Sequence, residues 1–110
     1  MSEPPLLVHW TETAARDLED LIAFIAADSP GNARRVLTRL QERAAALEVH
    51  PARGRIVPEL ASFGLSAWRE LVVKPYRLIY RAEAKRVYVL AVVDGRRDLE
   101  DLLLKRLVRP

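Results

Sequence analysis

The sequence predicts an α+β domain: a helical hairpin packed on one face of a twisted, mainly antiparallel sheet. Three observations predict it. Apolar residues recur at helical spacing from Ala14 to Leu47. From Trp68 to Val93 the pattern changes to short runs rich in β-branched and aromatic residues, separated by turn signals. A final leucine-rich segment returns to helical spacing.

Leu6-Leu7-Val8-His9-Trp10 is a short apolar run and is expected to be the first strand. Thr11 can cap the helix that follows, whose apolar side is Ala14, Leu18, Leu21, Ile22 and Ile25. Asp28-Ser29-Pro30-Gly31 stops it and starts a second helix, with Ser29 as N-cap and Pro30 at the first helical position. This helix is expected to bury Ala33, Val36, Leu37, Leu40, Ala44 and Leu47. Arg34, Arg35, Arg39, Glu42 and Arg43 are left to solvent or a partner. It ends before His50-Pro51, because the residue ahead of a proline is pushed out of the α region. So short a turn between the helices implies an antiparallel hairpin.

Residues 53–58 form a loop or a short edge strand, since Pro58 cannot sit in a central one, and 61–66 form a loop. Three strands follow, Trp68 to Val73, Tyr76 to Arg81 and Val87 to Val93. The turns at Lys74-Pro75 and Glu83-Ala84-Lys85 make them an antiparallel meander, beside which the first strand lies. Asp98 is expected to cap the last helix, with Asp101 at the capping-box position and Leu99, Leu102, Leu103 and Leu107 turned inward. No repeat or linker interrupts residues 1–110, which read as a single domain.

The absence of cysteine excludes disulfides, thiolate catalysis and Cys-ligated zinc. His9 and His50 stand in no metal-ligand spacing, and no cofactor or metal is expected. No apolar run approaches the roughly 18 residues that span a bilayer. The start, Met1-Ser2-Glu3-Pro4-Pro5, lacks the basic and apolar regions of a secretory leader, so a cytoplasmic protein without membrane contact is expected. Net charge is +3, unevenly spread. Residues 1–50 hold five basic and eight acidic groups, a net −3, and residues 51–110 hold thirteen and seven, a net +6. Any anionic partner is therefore expected to meet the C-terminal half.

Arg77 and Arg81 stand four apart on one strand and share a face with Ile79. With Arg69, Arg96 and Arg97 they form a candidate basic surface for phosphate or an acidic partner, and part of that sheet face is expected to be exposed. The plainer alternative pairs these arginines with Glu70 and Glu83 as ordinary solvated groups. Trp68, Tyr76, Tyr80 and Tyr88 fit strand packing better than base stacking. Glu12, Asp17, Glu19 and Asp20 fit a solvated face and the N-terminal turns of the first helix better than a metal or acid–base site. No Ser-His-Asp or Cys-His arrangement and no Gly-rich phosphate loop is present.

Three segments resemble the RelE/ParE toxins. Residues 14–22, Ala-Ala-Arg-Asp-Leu-Glu-Asp-Leu-Ile, are similar to the first helix of that family. Arg69-Glu70-Leu71 and the run Tyr76-Arg77-Leu78-Ile79-Tyr80-Arg81 resemble its central strand pair. Asp94-Gly95-Arg96-Arg97-Asp98 resembles the turn after its last strand. The likeness spans nearly the whole chain in the order derived above.

The resemblance implies the toxin of a type II toxin–antitoxin system, which arrests growth until a cognate antitoxin neutralises it. The antitoxin's flexible end wraps the toxin, and its other end binds operator DNA, so the toxin meets operator DNA only indirectly. An extended antitoxin segment would lie across the helical hairpin, where Leu21, Ile25, Val36 and Leu40 are candidates shared between core and partner groove. ParE-like members inhibit DNA gyrase by protein contact. RelE-like members cut mRNA on the ribosome without a metal, and then Arg77, Arg96 and Arg69 would be the catalytic candidates. The lysines expected before Tyr76 are missing, and Leu102 and Leu103 stand where a C-terminal tyrosine is expected. Arginine is protonated at any working pH and is a poor general base. The expectation is thus a gyrase inhibitor rather than an enzyme, with the mRNA endonuclease as alternative and a small basic nucleic-acid-binding module as a further one.

Overall fold

The computed structural model describes residues 4–108; residues 1–3, on which the expectation of a leaderless start partly rests, lie outside the described residues, as do 109–110. The element order is β1 (Leu7–Trp10), α1 (Glu12–Asp28), α2 (Pro30–Ala45), β2 (Arg55–Ile56), α3 (Pro58–Ala61), β3 (Arg69–Val73), β4 (Tyr76–Ala82), β5 (Arg86–Asp94) and α4 (Glu100–Leu103). A wider π-helical turn, Leu104–Val108, extends α4. The α+β expectation holds.

Local chemistry sets both hairpin helices. Thr11 Oγ1 accepts from the Ala14 amide at 3.2 Å, and Ser29 Oγ from the Asn32 amide at 3.3 Å, with Pro30 at the first helical position as expected. Each such cap contributes about 1 kcal/mol. The hairpin lies on one face of a five-stranded sheet of order β1-β5-β4-β3-β2. β1 runs parallel to β5 and all other neighbours are antiparallel. Leu40, Ala44 and Leu47 from the α2 side meet Leu71, Leu78, Tyr80 and Val89 of the sheet in the main core.

The opposite face is also covered, which corrects the expectation that part of it is open. Val57, Leu60, Leu99 and Leu103 pack on Ile79, Ala91 and Val93 in a second core. Leu60 comes from α3, a helical turn that was expected to be loop; Pro58 starts this turn at its first position instead of merely breaking a strand. The last helix also starts later than expected. Leu99 holds the N-cap position without a side-chain cap, because its side chain is buried in the second core. Asp98 accepts from the Glu100 amide at 3.4 Å, a long contact, and Asp101 pairs with Lys105 at 3.3 Å rather than closing a capping box.

β5 outruns β1, and side chains complete its exposed edge. Ile79 stands opposite Ala91 but Tyr80 opposite Val89, so Leu90 bulges out of the ladder. Asp17 of α1 accepts from the Val92 amide at 3.1 Å and holds Arg106 at 3.0 Å, while Arg106 reaches the Leu90 carbonyl at 3.5 Å. Asp17 is thus a structural clasp between the first helix, the sheet edge and the C-terminal turn, not a member of a solvated acidic face.

Candidate functional site

The sheet brings the predicted arginines to one side but gives each a different task. Arg77 is 8% exposed, which corrects its placement on an open basic face. Its Nη1 and Nη2 donate to the two carboxylate oxygens of Glu59, both at 2.6 Å, and its Nε donates to Glu70 at 2.6 Å. Glu70 is 1% exposed and also accepts from Arg55 Nε at 2.6 Å. The hydrogen bonds from Arg77 hold the Glu59 carboxyl below the usual range, and those to Glu59 first, then Glu70, raise the Arg77 pKa further above its ordinary value. The cage forms because α3 sets Glu59 over the sheet while β3 carries Glu70 diagonally beside Arg77. Gly95 completes it: a Cβ there would stand 3.0 Å from Arg77 Cδ and from the Pro75 carbonyl.

Arg69 is half-buried and donates to the Gly54 carbonyl at 2.8 Å. Arg81 is exposed, lies 5.5 Å from the Trp68 ring centroid and stands 3.9 Å from Glu83. Arg96 binds Asp94 through Nε and Nη2, at 2.9 and 2.7 Å, and so holds the Asp94 carboxyl down at about 2. Arg97 is exposed and has no carboxylate partner among the described residues. The plainer alternative of carboxylate pairing therefore describes Arg77, Arg81 and Arg96, with Glu59 the partner that sequence reasoning missed.

A cavity of about 370 Å³ remains between the β3–β4 turn and Gly95, lined by Arg55, Lys74, Arg77 and Arg96. Its cations can hold an anion but none exchanges a proton readily near neutral pH. His9 lies on β1, at the far side of the sheet from β3, edge-on to Tyr88 with ring centroids 5.8 Å apart. His50 follows α2 and is exposed. Tyr80 is fully buried; it accepts from the Gly54 amide at 2.9 Å and donates to the Pro51 carbonyl at 2.7 Å. Burial, more than any other cause, raises its pKa. Tyr76 is buried as well, so neither tyrosine offers a face for stacking. Among the described residues no group of three His, Cys, Asp or Glu side chains could hold a metal, and no helix is long and apolar enough to cross a membrane.

A second concave feature runs between the two hairpin helices. This groove, about 590 Å³, is lined by Trp10, Leu18, Ile22, Ala26 and Leu37, with Glu19 and Gln41 among its polar groups. The residues expected to be shared with a partner lie deeper. Leu40 is 0% and Ile25 9% exposed, and Leu21 and Val36 are half-buried against them and the sheet. They are core; the groove belongs to the next stripe of each helix.

The comparisons agree with this geometry. Residues 8–99 match the family described as ParE toxin of type II toxin-antitoxin system, parDE. A Sinorhizobium fredii protein named "Putative toxin Y4kP" is 32% identical over 98 residues, covering 87% of this chain and 95% of its own. Among solved structures, the chromosomal ParDE toxin–antitoxin system from P. aeruginosa superposes with a TM-score of 0.64 at 20% identity, over 81% of this chain and 95% of that one. The RelBE2 toxin–antitoxin complex from Mycobacterium tuberculosis gives 0.61 at 28% identity, over 84% and 94%. Fold and motifs define a small toxin of the RelE/ParE class. The chain belongs to the ParE toxin family of type II toxin–antitoxin systems.

Proposed function

We propose that this toxin acts in the cytoplasm by inhibiting DNA gyrase through protein contact, and that a cognate antitoxin neutralises it. One observation carries the choice of target class. Arg77, the cation a nuclease would aim at the scissile phosphate, is buried and saturated by Glu59 and Glu70. Phosphoryl chemistry needs a group to take the 2′-hydroxyl proton and another to protonate the leaving oxygen. Arg69, Arg81, Arg96 and Arg97 supply neither. The exposed members, Arg81, Arg96 and Arg97, remain as candidates for contact with the target.

The antitoxin reading rests on the apolar groove of the hairpin, whose lining of Leu18, Ile22, Ala26 and Leu37 suits the apolar side of an extended or helical segment. A supercoiling assay with purified gyrase tests the target. Inhibition at about micromolar toxin, relieved by the antitoxin, is expected. Unchanged supercoiling together with cleavage of ribosome-bound message would instead establish the RelE-like endonuclease.

A further inference from the structure

The charge that sequence places in the C-terminal half is largely neutralised in the fold, whereas that of α2 is not. Arg55, Arg77, Arg81, Arg96 and Arg106 each have a carboxylate within 4.0 Å. Arg34, Arg35, Arg39 and Arg43 have none among the described residues. With Glu42 they give α2 a net +3, while the adjacent α1 carries five acids and Arg16, a net −4, yet no ion pair joins the two helices.

These arginines shape a site. Gly31, Arg34, Arg35 and Thr38 fall at i, i+3, i+4 and i+7, on the solvent face of α2 opposite Ala33, Leu40 and Ala44. With Arg39 they line an open trough of about 530 Å³. Glycine and threonine form its floor, and guanidiniums form its walls. From Gly31 to Thr38 it runs about 10 Å along the helix, beginning near the end where the macrodipole favours anions.

We propose that this trough is a docking ridge for the phosphate backbone of duplex DNA. Arginine, threonine and helix N-termini are the groups that contact phosphates without reading sequence. A protein partner needs an apolar or aromatic centre to its interface, and the exposed large apolar residues, among them Phe24, Phe63 and Val72, all lie outside α2. A single strand needs aromatic platforms, and no aromatic side chain lines the trough. The ridge rests on its own geometry and is independent of the gyrase reading.

Fluorescence anisotropy of the full chain with a short mixed-sequence duplex, titrated over a range of salt, tests it. Binding should weaken steeply with salt. The double variant Arg35→Ala/Arg39→Ala should bind at least about tenfold more weakly at low salt, with a salt slope shallower by roughly two, about one per phosphate contact. Arg81→Ala/Arg97→Ala, on the sheet side, should leave both unchanged. Circular dichroism should show the wild-type fold for each, since Arg35 and Arg39 are exposed and unpaired. The proposal is overturned by no duplex binding, by an α2 variant that binds like wild type, or by tighter binding of a single strand or an oligo-glutamate peptide.

Discussion

Glu59 closes on the guanidinium of Arg77 with both carboxylate oxygens, each at 2.6 Å, from a helical turn of four residues laid across the sheet. The geometry is the bidentate fork by which an arginine would hold a phosphate. The chain fills that fork with its own carboxylate. A cation that sequence reading offers to a substrate is thereby a tie between α3 and β4.

Removing the cation should be severe. Arg77→Ala leaves Glu70, at 1% exposure, with Arg55 alone. Breaking a buried pair from one side costs about 3–5 kcal/mol. Glu59→Gln, which keeps a hydrogen-bonding oxygen at a half-buried position, should cost less, about 1 kcal/mol. Urea unfolding of both variants checks this; equal costs would show that Glu70 needs no counter-ion from Arg77.

The same pair sets a response to acid. The Glu59 carboxyl lies below its ordinary value in the fold, chiefly through its hydrogen bonds from Arg77. A depressed carboxyl contributes stability that is present above the unfolded pKa and is lost as pH falls through the folded one. Stability from this pair should therefore hold down to about pH 5 and decline below the ordinary carboxylate range near pH 4. Asp94, held at about 2, follows the same sign further down, but it sits at an exposed turn and contributes little. Unfolding midpoints from pH 7 to about pH 3 should fall less steeply for Glu59→Gln than for wild type.

Tyr80→Phe should destabilise the chain by about 1–3 kcal/mol, because the buried Gly54 amide loses its acceptor and the Pro51 carbonyl its donor. Gly54→Ala should be worse, since its Cβ would stand 2.7 Å from Tyr80 Oη with sheet backbone on the other side. Thermal melts of the two variants give the ranking; a harmless Gly54→Ala would mean that the loop moves aside.

Two leucines on α2 should separate core from groove. Leu40→Ala removes a fully buried side chain and should cost about 2–5 kcal/mol. Leu37→Glu places a charge in the hairpin groove and should leave stability nearly unchanged while weakening rescue by the antitoxin. Denaturation and co-expression growth assays read the two effects. Full rescue of Leu37→Glu would move the antitoxin elsewhere.

The hairpin was legible because its signals are local: Thr11 and Ser29-Pro30 cap the helices where they stand in the chain. The meander was legible for the same reason. The parallel pairing of β1 with β5 was not, since it joins Trp10 to Val89 across the chain. Nor was α3, whose four residues are too few to show a period. Strand alternation put Arg77, Ile79 and Arg81 on one face correctly, but it carries no record of what covers that face. A lone glutamate at position 70 of an otherwise apolar strand was the available hint of a buried ion pair. In the helices, periodicity found the apolar stripe but not its division. Leu40 faces the sheet, and Leu37, three residues earlier, faces the groove.

The two-residue β2 has one further consequence. A long open sheet edge invites another chain to pair with it and seed aggregates. Here the flank beyond β3 ends in Arg55-Ile56, exposed and immediately diverted by Pro58 into a helical turn. A poison that is set loose when its neutraliser is degraded must stay dispersed to act, and this clipped border offers fibril growth too little backbone to copy.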